Sequence, residues 1–158
     1  MIKSLNKGFT LTELIVVMGA LGILFGVVNI SLIGFYRRPV QRGANNVLVA
    51  DARSQQLKAM TGDSNGGVNS SYGIYFSQNS YTLFKGSSYI PDDPSNFVVN
   101  LSEGMSFTNN TFPAASVVFQ KGNGEVVDWA SGSSGVSIAD SQTGIVTQVR
   151  INRYGATY

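Results

Sequence analysis

The chain contains no cysteine and no histidine. Without cysteine there is neither a disulfide framework nor a thiolate metal site, and the redox compartment is left open. Without histidine the commonest general base and the best transition-metal ligand are gone too. Ser-His and Cys-His nucleophilic catalysis and zinc hydrolysis are excluded together. Charge is also scarce: 13% of the 158 residues are charged, against 43% hydrophobic. That balance rules against a disordered chain and fits a protein with a membrane segment. The length suits one compact domain with an appendage.

The charge that is present is placed unevenly. Residues 1–60 carry seven basic side chains against Glu13 and Asp51, net +5, whereas residues 61–158 carry four against seven acids, net −3. The pI near 9.0 therefore describes the amino-terminal part and not the remainder, which weakens a nucleic-acid reading.

From Phe9 to Tyr36 the sequence runs 28 residues with one charge, Glu13. As a helix it would reach about 42 Å at 1.5 Å per residue, more than the roughly 30 Å of a bilayer core. The run exceeds the apolar region of an ordinary signal peptide, and Arg37 and Arg38 follow directly, so it reads as retained. Lys3 and Lys7 before it nearly balance Arg37, Arg38 and Arg42 after it, and charge alone does not orient it. An acid inside such a run is costly and is usually paired. Gly19, Gly22, Gly26 and Gly34 punctuate the run, and Gly22 with Gly26 forms a small-xxx-small pair that suits close helix approach.

The junction KGFTLTEL, Lys7 to Leu14, resembles the processing site of type IV prepilins and type II secretion pseudopilins. The resemblance implies a cytoplasmic leader of residues 1–8, cut after Gly8 by a prepilin peptidase that also N-methylates Phe9. It places the family's assembly glutamate on Glu13, which would face the Phe9 amine of a neighbouring subunit. It further implies residues 9–36 as transmembrane and assembly helix, the amino end inside and the head periplasmic or extracellular. The partners implied are other pilin or pseudopilin subunits, an inner-membrane assembly platform and the lipid bilayer. Losing Lys3 and Lys7 with the leader takes the formal charge from +2 to 0. Many members have a proline within the apolar run; here none precedes Pro39.

Residues 37–61 turn amphipathic, with Val40, Ala44, Val47, Ala50, Ser54 and Leu57 at three- and four-residue spacings. This stripe predicts the face that lies on a sheet, and TGDSNGG at 61–67 ends the helix. One helix of about 50 residues is expected, bent if anywhere at Pro39. From 68 to 158 short β-type runs alternate with turns: 72–76, 81–86, 96–101, 105–107, 117–120, 125–130, 135–140 and 145–152. The class is α+β, with about eight antiparallel strands in two small sheets. Trp129, Tyr72 and Tyr154 are expected in the core more than on a contact surface.

The head series GIYF, YTLF, VVNLSEGMSF, VVFQKGNGEV and IVTQVRINRYG resembles H-type minor pseudopilins and related minor pilins. The matching positions are Val118 and Phe119 before Gly122 or Gly124, then Val149, Ile151, Asn152 and Gly155. That resemblance implies a β-sandwich packed on the helix, and a minor subunit of a pilus or secretion filament, not an enzyme. Some minor pilins bind DNA in uptake machines through a basic carboxyl-terminal stretch, and Arg150 and Arg153 are the corresponding candidates. Two arginines on a net-acidic head are thin grounds for phosphate binding. The adjacent pair Asp92–Asp93, between Pro91 and Pro94, reads as turn chemistry. A calcium site there would need further oxygen ligands, and no second cluster supplies them. No cofactor is expected.

Overall fold

The computed structural model describes residues 8–62, 69–132 and 134–158, with side chains undescribed at 27–38. The expected leader lies outside the described residues apart from Gly8, as does most of the turn at 61–67. Contacts divide the chain into two units, residues 1–38 and 39–158. Helix α1 (Leu11–Thr61) has 51 residues, with Pro39 inside it. It begins eight residues before Gly19, the first glycine of the run, and is followed by Gly62, whose φ of 81° suits a left-handed cap. The Gly62 amide donates to the Lys58 carbonyl at 2.9 Å, closing one orphan acceptor of the last turn.

In the first unit every described side chain from Gly8 to Gly26 is exposed. Among the described residues no helix is long and apolar enough to cross a membrane, and residues 27–36 of the expected span fall among the undescribed side chains.

The second unit holds β1 (Tyr72–Phe76), β2 (Ser80–Lys85), β3 (Phe97–Asn100), β4 (Met105–Thr108), β5 (Ser116–Phe119), β6 (Gly135–Asp140) and β7 (Val146–Arg150). They form an antiparallel sheet of order β3-β2-β1-β5 and a second of order β4-β6-β7. Residues 125–130 are a correction to the strand count. Val126 makes a single bridge to Phe119, but Gly122, Gly124 and Asp128 all have positive φ, which breaks the extended pleat on either side.

One core joins the two sheets and the second half of α1: Leu48, Ala52 and Ala59 meet Ile74, Phe76 and Phe119 from one sheet and Met105, Phe107, Ile138 and Val149 from the other. Phe76 packs edge-on against Phe107 across the sheets, centroids 5.3 Å apart. Tyr72 is buried in this core and Trp129 packs against it, with its indole N–H donating to the Ile151 carbonyl at 3.1 Å; Tyr154 is exposed.

The helix face is a second correction. Val40 and Ala44 of the expected stripe do pack against the core, but Ala50 and Ser54 are exposed. Val47 is 50% and Leu57 58% exposed, and the buried positions of this face are Gln41, Leu48, Ala52, Gln55 and Ala59. Hydrophobicity misplaced the stripe beyond Ala44 because this contact is built from close approach and amides. Gln41 Nε2 donates to the carbonyls of Ile138 and Ile145 at 3.3 and 3.1 Å. Gln56 Nε2 donates to those of Gly124 and Tyr154 at 3.0 and 2.7 Å, and the Ala59 carbonyl accepts from the Gly122 amide at 2.8 Å. Carbonyls of the turns at Gly124 and Tyr154 and of the last turn of α1 thus find donors, an obligation that hydropathy does not score.

Buried Tyr81 donates its hydroxyl to Asp51 at 2.5 Å, tying β2 to α1. Burial first, then this hydrogen bond and the charge of Asp51, push the phenol far above its ordinary value of 10.0. A raised folded-state value means that folding favours the protonated phenol. This contribution is whole below about pH 10, where unfolded tyrosine starts to ionise, and shrinks as pH rises further. Urea midpoints are expected to fall between about pH 9 and pH 11 in the wild type and to fall less steeply in Tyr81→Phe. Parallel slopes would remove Tyr81 from the alkaline transition.

Candidate functional site at the amino end of the helix

Thr10 directly precedes α1 and Glu13 is its third residue, which gives the threonine-x-x-glutamate pattern of a capping box. The contacts are reciprocal: Glu13 N–H donates to Thr10 Oγ1 at 3.3 Å, and Thr10 N–H donates to Glu13 Oε2 at 3.2 Å. The Thr10 hydroxyl also donates to Glu13 Oε2, at 3.1 Å. Two orphan amides of the first turn are thereby satisfied, and the carboxylate sits at the positive end of the helix dipole. Phe9, 84% exposed, lies just outside this cap, with Gly8 before it and open space around its α-carbon.

The sequence reading had Glu13 as an acid awaiting a partner and passed over the cap, although TLTE at 10–13 was the signal for it. In the single chain the carboxylate is already engaged, through one oxygen, in fixing where the helix starts. A cut after Gly8 would leave the Phe9 amine two positions before the first helical residue. A cation there sits at the wrong end of its own helix dipole, so it gains from any carboxylate brought near it.

Residues 3–29 match the family model of the prokaryotic N-terminal methylation motif. The chain carries that motif. The match supports a type IV pilin-like, prepilin-processed subunit, and the methylation motif spans Gly8, Phe9, the capping box and the apolar start of α1. No curated protein and no solved structure matches, so the likeness of the head to H-type minor pseudopilins has no support from relatives.

The remaining candidates do not converge. Arg153 Nε is 3.5 Å from Glu125 Oε2, and Arg150 Nε donates to Gln148 Oε1 at 3.1 Å. β7 ends at Arg150, so the two arginines do not share a regular strand. Asp93 Oδ1 accepts from the amide and hydroxyl of Ser95 at 2.8 and 2.6 Å, and these bonds hold its carboxyl below the usual range; Asp92 has φ 62°. The pair is a turn, and among the described residues no group of acids is arranged to hold a metal ion. Around Gly22 and Gly26 a β-carbon would meet open space.

Proposed function

We propose that this chain is a structural subunit, a minor pilin or pseudopilin, of a type IV pilus or type II secretion-like filament. The observation that carries the reading is the methylation motif over residues 3–29; the resemblance of KGFTLTEL to prepilin junctions assigns cleavage to Gly8, methylation to Phe9 and assembly to Glu13. The subunit inserts with its leader in the cytoplasm, is cut after Gly8, and holds to the inner membrane by the apolar run. It then passes into a filament.

The mechanism follows from the helix terminus. Cleavage creates a methylated ammonium at Phe9, and Glu13 of an adjoining subunit neutralises it where water is excluded. That contact sets axial register, because slippage by one turn leaves both charges buried and unpaired. Exposed apolar side chains of the first unit, Leu14, Ile15, Val17 and Met18 among them, supply the packing. In the second unit Val47, Leu57 and Met60 offer a further face to neighbours.

Mass spectrometry of the protein recovered from filaments or membranes of its host tests the processing. The expected amino terminus is Phe9 bearing one methyl group. A mature chain that still begins at Met1 would leave no amine for Glu13 to meet and would defeat the proposal.

A further inference from the structure

The face of the β3-β2-β1-β5 sheet that points away from the helix carries a second, separate aromatic cluster. Gly73 of β1 makes room for it: a β-carbon there would lie 2.7 Å from the Val117 carbonyl oxygen and run into the Phe84 ring. Phe84, 2% exposed, fills that space and is outside the main core. Tyr89 packs edge-on against Phe84, centroids 5.7 Å apart, and stacks flat on Tyr75 at 4.1 Å and 5°. The two tyrosines are thereby held rigid and form part of the wall of an open cleft of about 410 Å³.

Two features separate this cleft from an incidental surface dip. The first is backbone strain: Ala114 (φ 48°) and Asp128 (φ 53°) both line it, and Ala115 (φ 53°) adjoins it. Alanine has no side-chain hydrogen bond to offset a left-handed conformation, which costs about 1–2 kcal/mol per residue, and such strain gathers at binding sites. The second is composition. Ser87, Ser88, Ser116 and the two tyrosines supply hydroxyls, Asp128 supplies the one carboxylate, and no lysine or arginine contributes to the lining.

That chemistry selects a ligand. With no cation an anionic group finds no partner, so phosphate and acidic chains are disfavoured. Strand addition is disfavoured too, because the Val118 carbonyl beside the cleft already accepts from the Val127 amide at 2.9 Å, and the Gln120 amide is spent on the Glu125 carbonyl. A neutral saccharide suits what remains. Its hydroxyls both donate and accept, as those of serine and tyrosine do, and Asp128 accepts from a pair of them. Its C–H groups carry slight positive charge and match the negative face of an aromatic ring, and its apolar patches suit walls such as Val118 and Val127. We infer that this cleft binds one or two residues of a neutral glycan. This inference is independent of the pilin reading.

The test uses the full-length chain in a detergent without a sugar headgroup, which would compete. Chito-oligosaccharides and malto-oligosaccharides are titrated up to about 10 mM with saturation-transfer NMR, a range suited to weak single-site affinities; a polyproline peptide serves as the rival ligand. Binding by at least one sugar series is expected. Tyr89→Ala is expected to abolish it, and Asp128→Gly, which keeps the positive φ, to weaken it about tenfold or more with the melting transition unchanged. Should Tyr89→Ala fail to fold, Asp128→Gly alone decides. No sugar binding, binding unaltered in Asp128→Gly, or binding of the polyproline peptide alone would overturn the inference.

Discussion

Glu13→Gln is expected to be processed like the wild type and yet to fall by about tenfold or more in filament incorporation, since breaking one partner of a buried ion pair costs several kcal/mol. The substitution separates two jobs of one side chain. Glutamine keeps a carbonyl oxygen that accepts from the Thr10 amide, so the capping box and the start of α1 survive. Only the charge is lost. Glu13→Ala removes both and is expected to do at least as badly, whereas Thr10→Ala loses a cap worth about 1 kcal/mol and keeps the charge, so it should still assemble. Processing is followed by the loss of the leader on immunoblots, and incorporation by the subunit found in sheared filaments. Wild-type incorporation of Glu13→Gln would leave the residue a helix cap and nothing more.

Leu48→Ala is expected to destabilise the head by about 2–5 kcal/mol, the usual cost of emptying a filled core site. Leu48 is 2% exposed and packs among both sheets, while Leu57, nine positions on, is 58% exposed. Leu57→Ala should therefore change stability by no more than about 0.5 kcal/mol, as an exposed truncation does. Urea denaturation of the full-length chain in detergent, followed by tryptophan emission from Trp129, measures both. The two leucines differ little in hydrophobicity and sit on one helix, so the contrast isolates which face is buried. Equal losses at both positions, or the larger loss at Leu57, would mean that the helix does not pack by the Leu48 face.

This contrast also shows where a one-dimensional reading runs out. Apolar spacing placed Val47 and Leu57 on the sheet, because periodicity weighs side chains by hydropathy alone. Gln41 and Gln55 are 3% exposed, and glutamine is mostly an exposed residue. Gln41 earns its place through carbonyls of the β6 strand and the turn after it, more than 90 residues away in the chain, which no local pattern contains. The strand reading failed for a related reason at 125–130, where φ at Asp128 is positive although aspartate does not demand it. The capping box was legible in TLTE and was missed because Glu13 had already been given another task.

The sequence by itself determined the N-terminal methylation motif, the helix that follows it and the α+β order of the chain, because each rests on neighbours within a few residues: a Gly-Phe junction, an unbroken apolar run, alternating β-type segments between turns. Tertiary structure alone decided which helix face meets the sheets, that Gly73 yields its space to Phe84, and that Tyr75, Tyr89, Ala114 and Asp128 line one cleft. Those outcomes depend on steric fit and on partners for buried carbonyls contributed by distant segments, and such pairings exist only once the chain has folded.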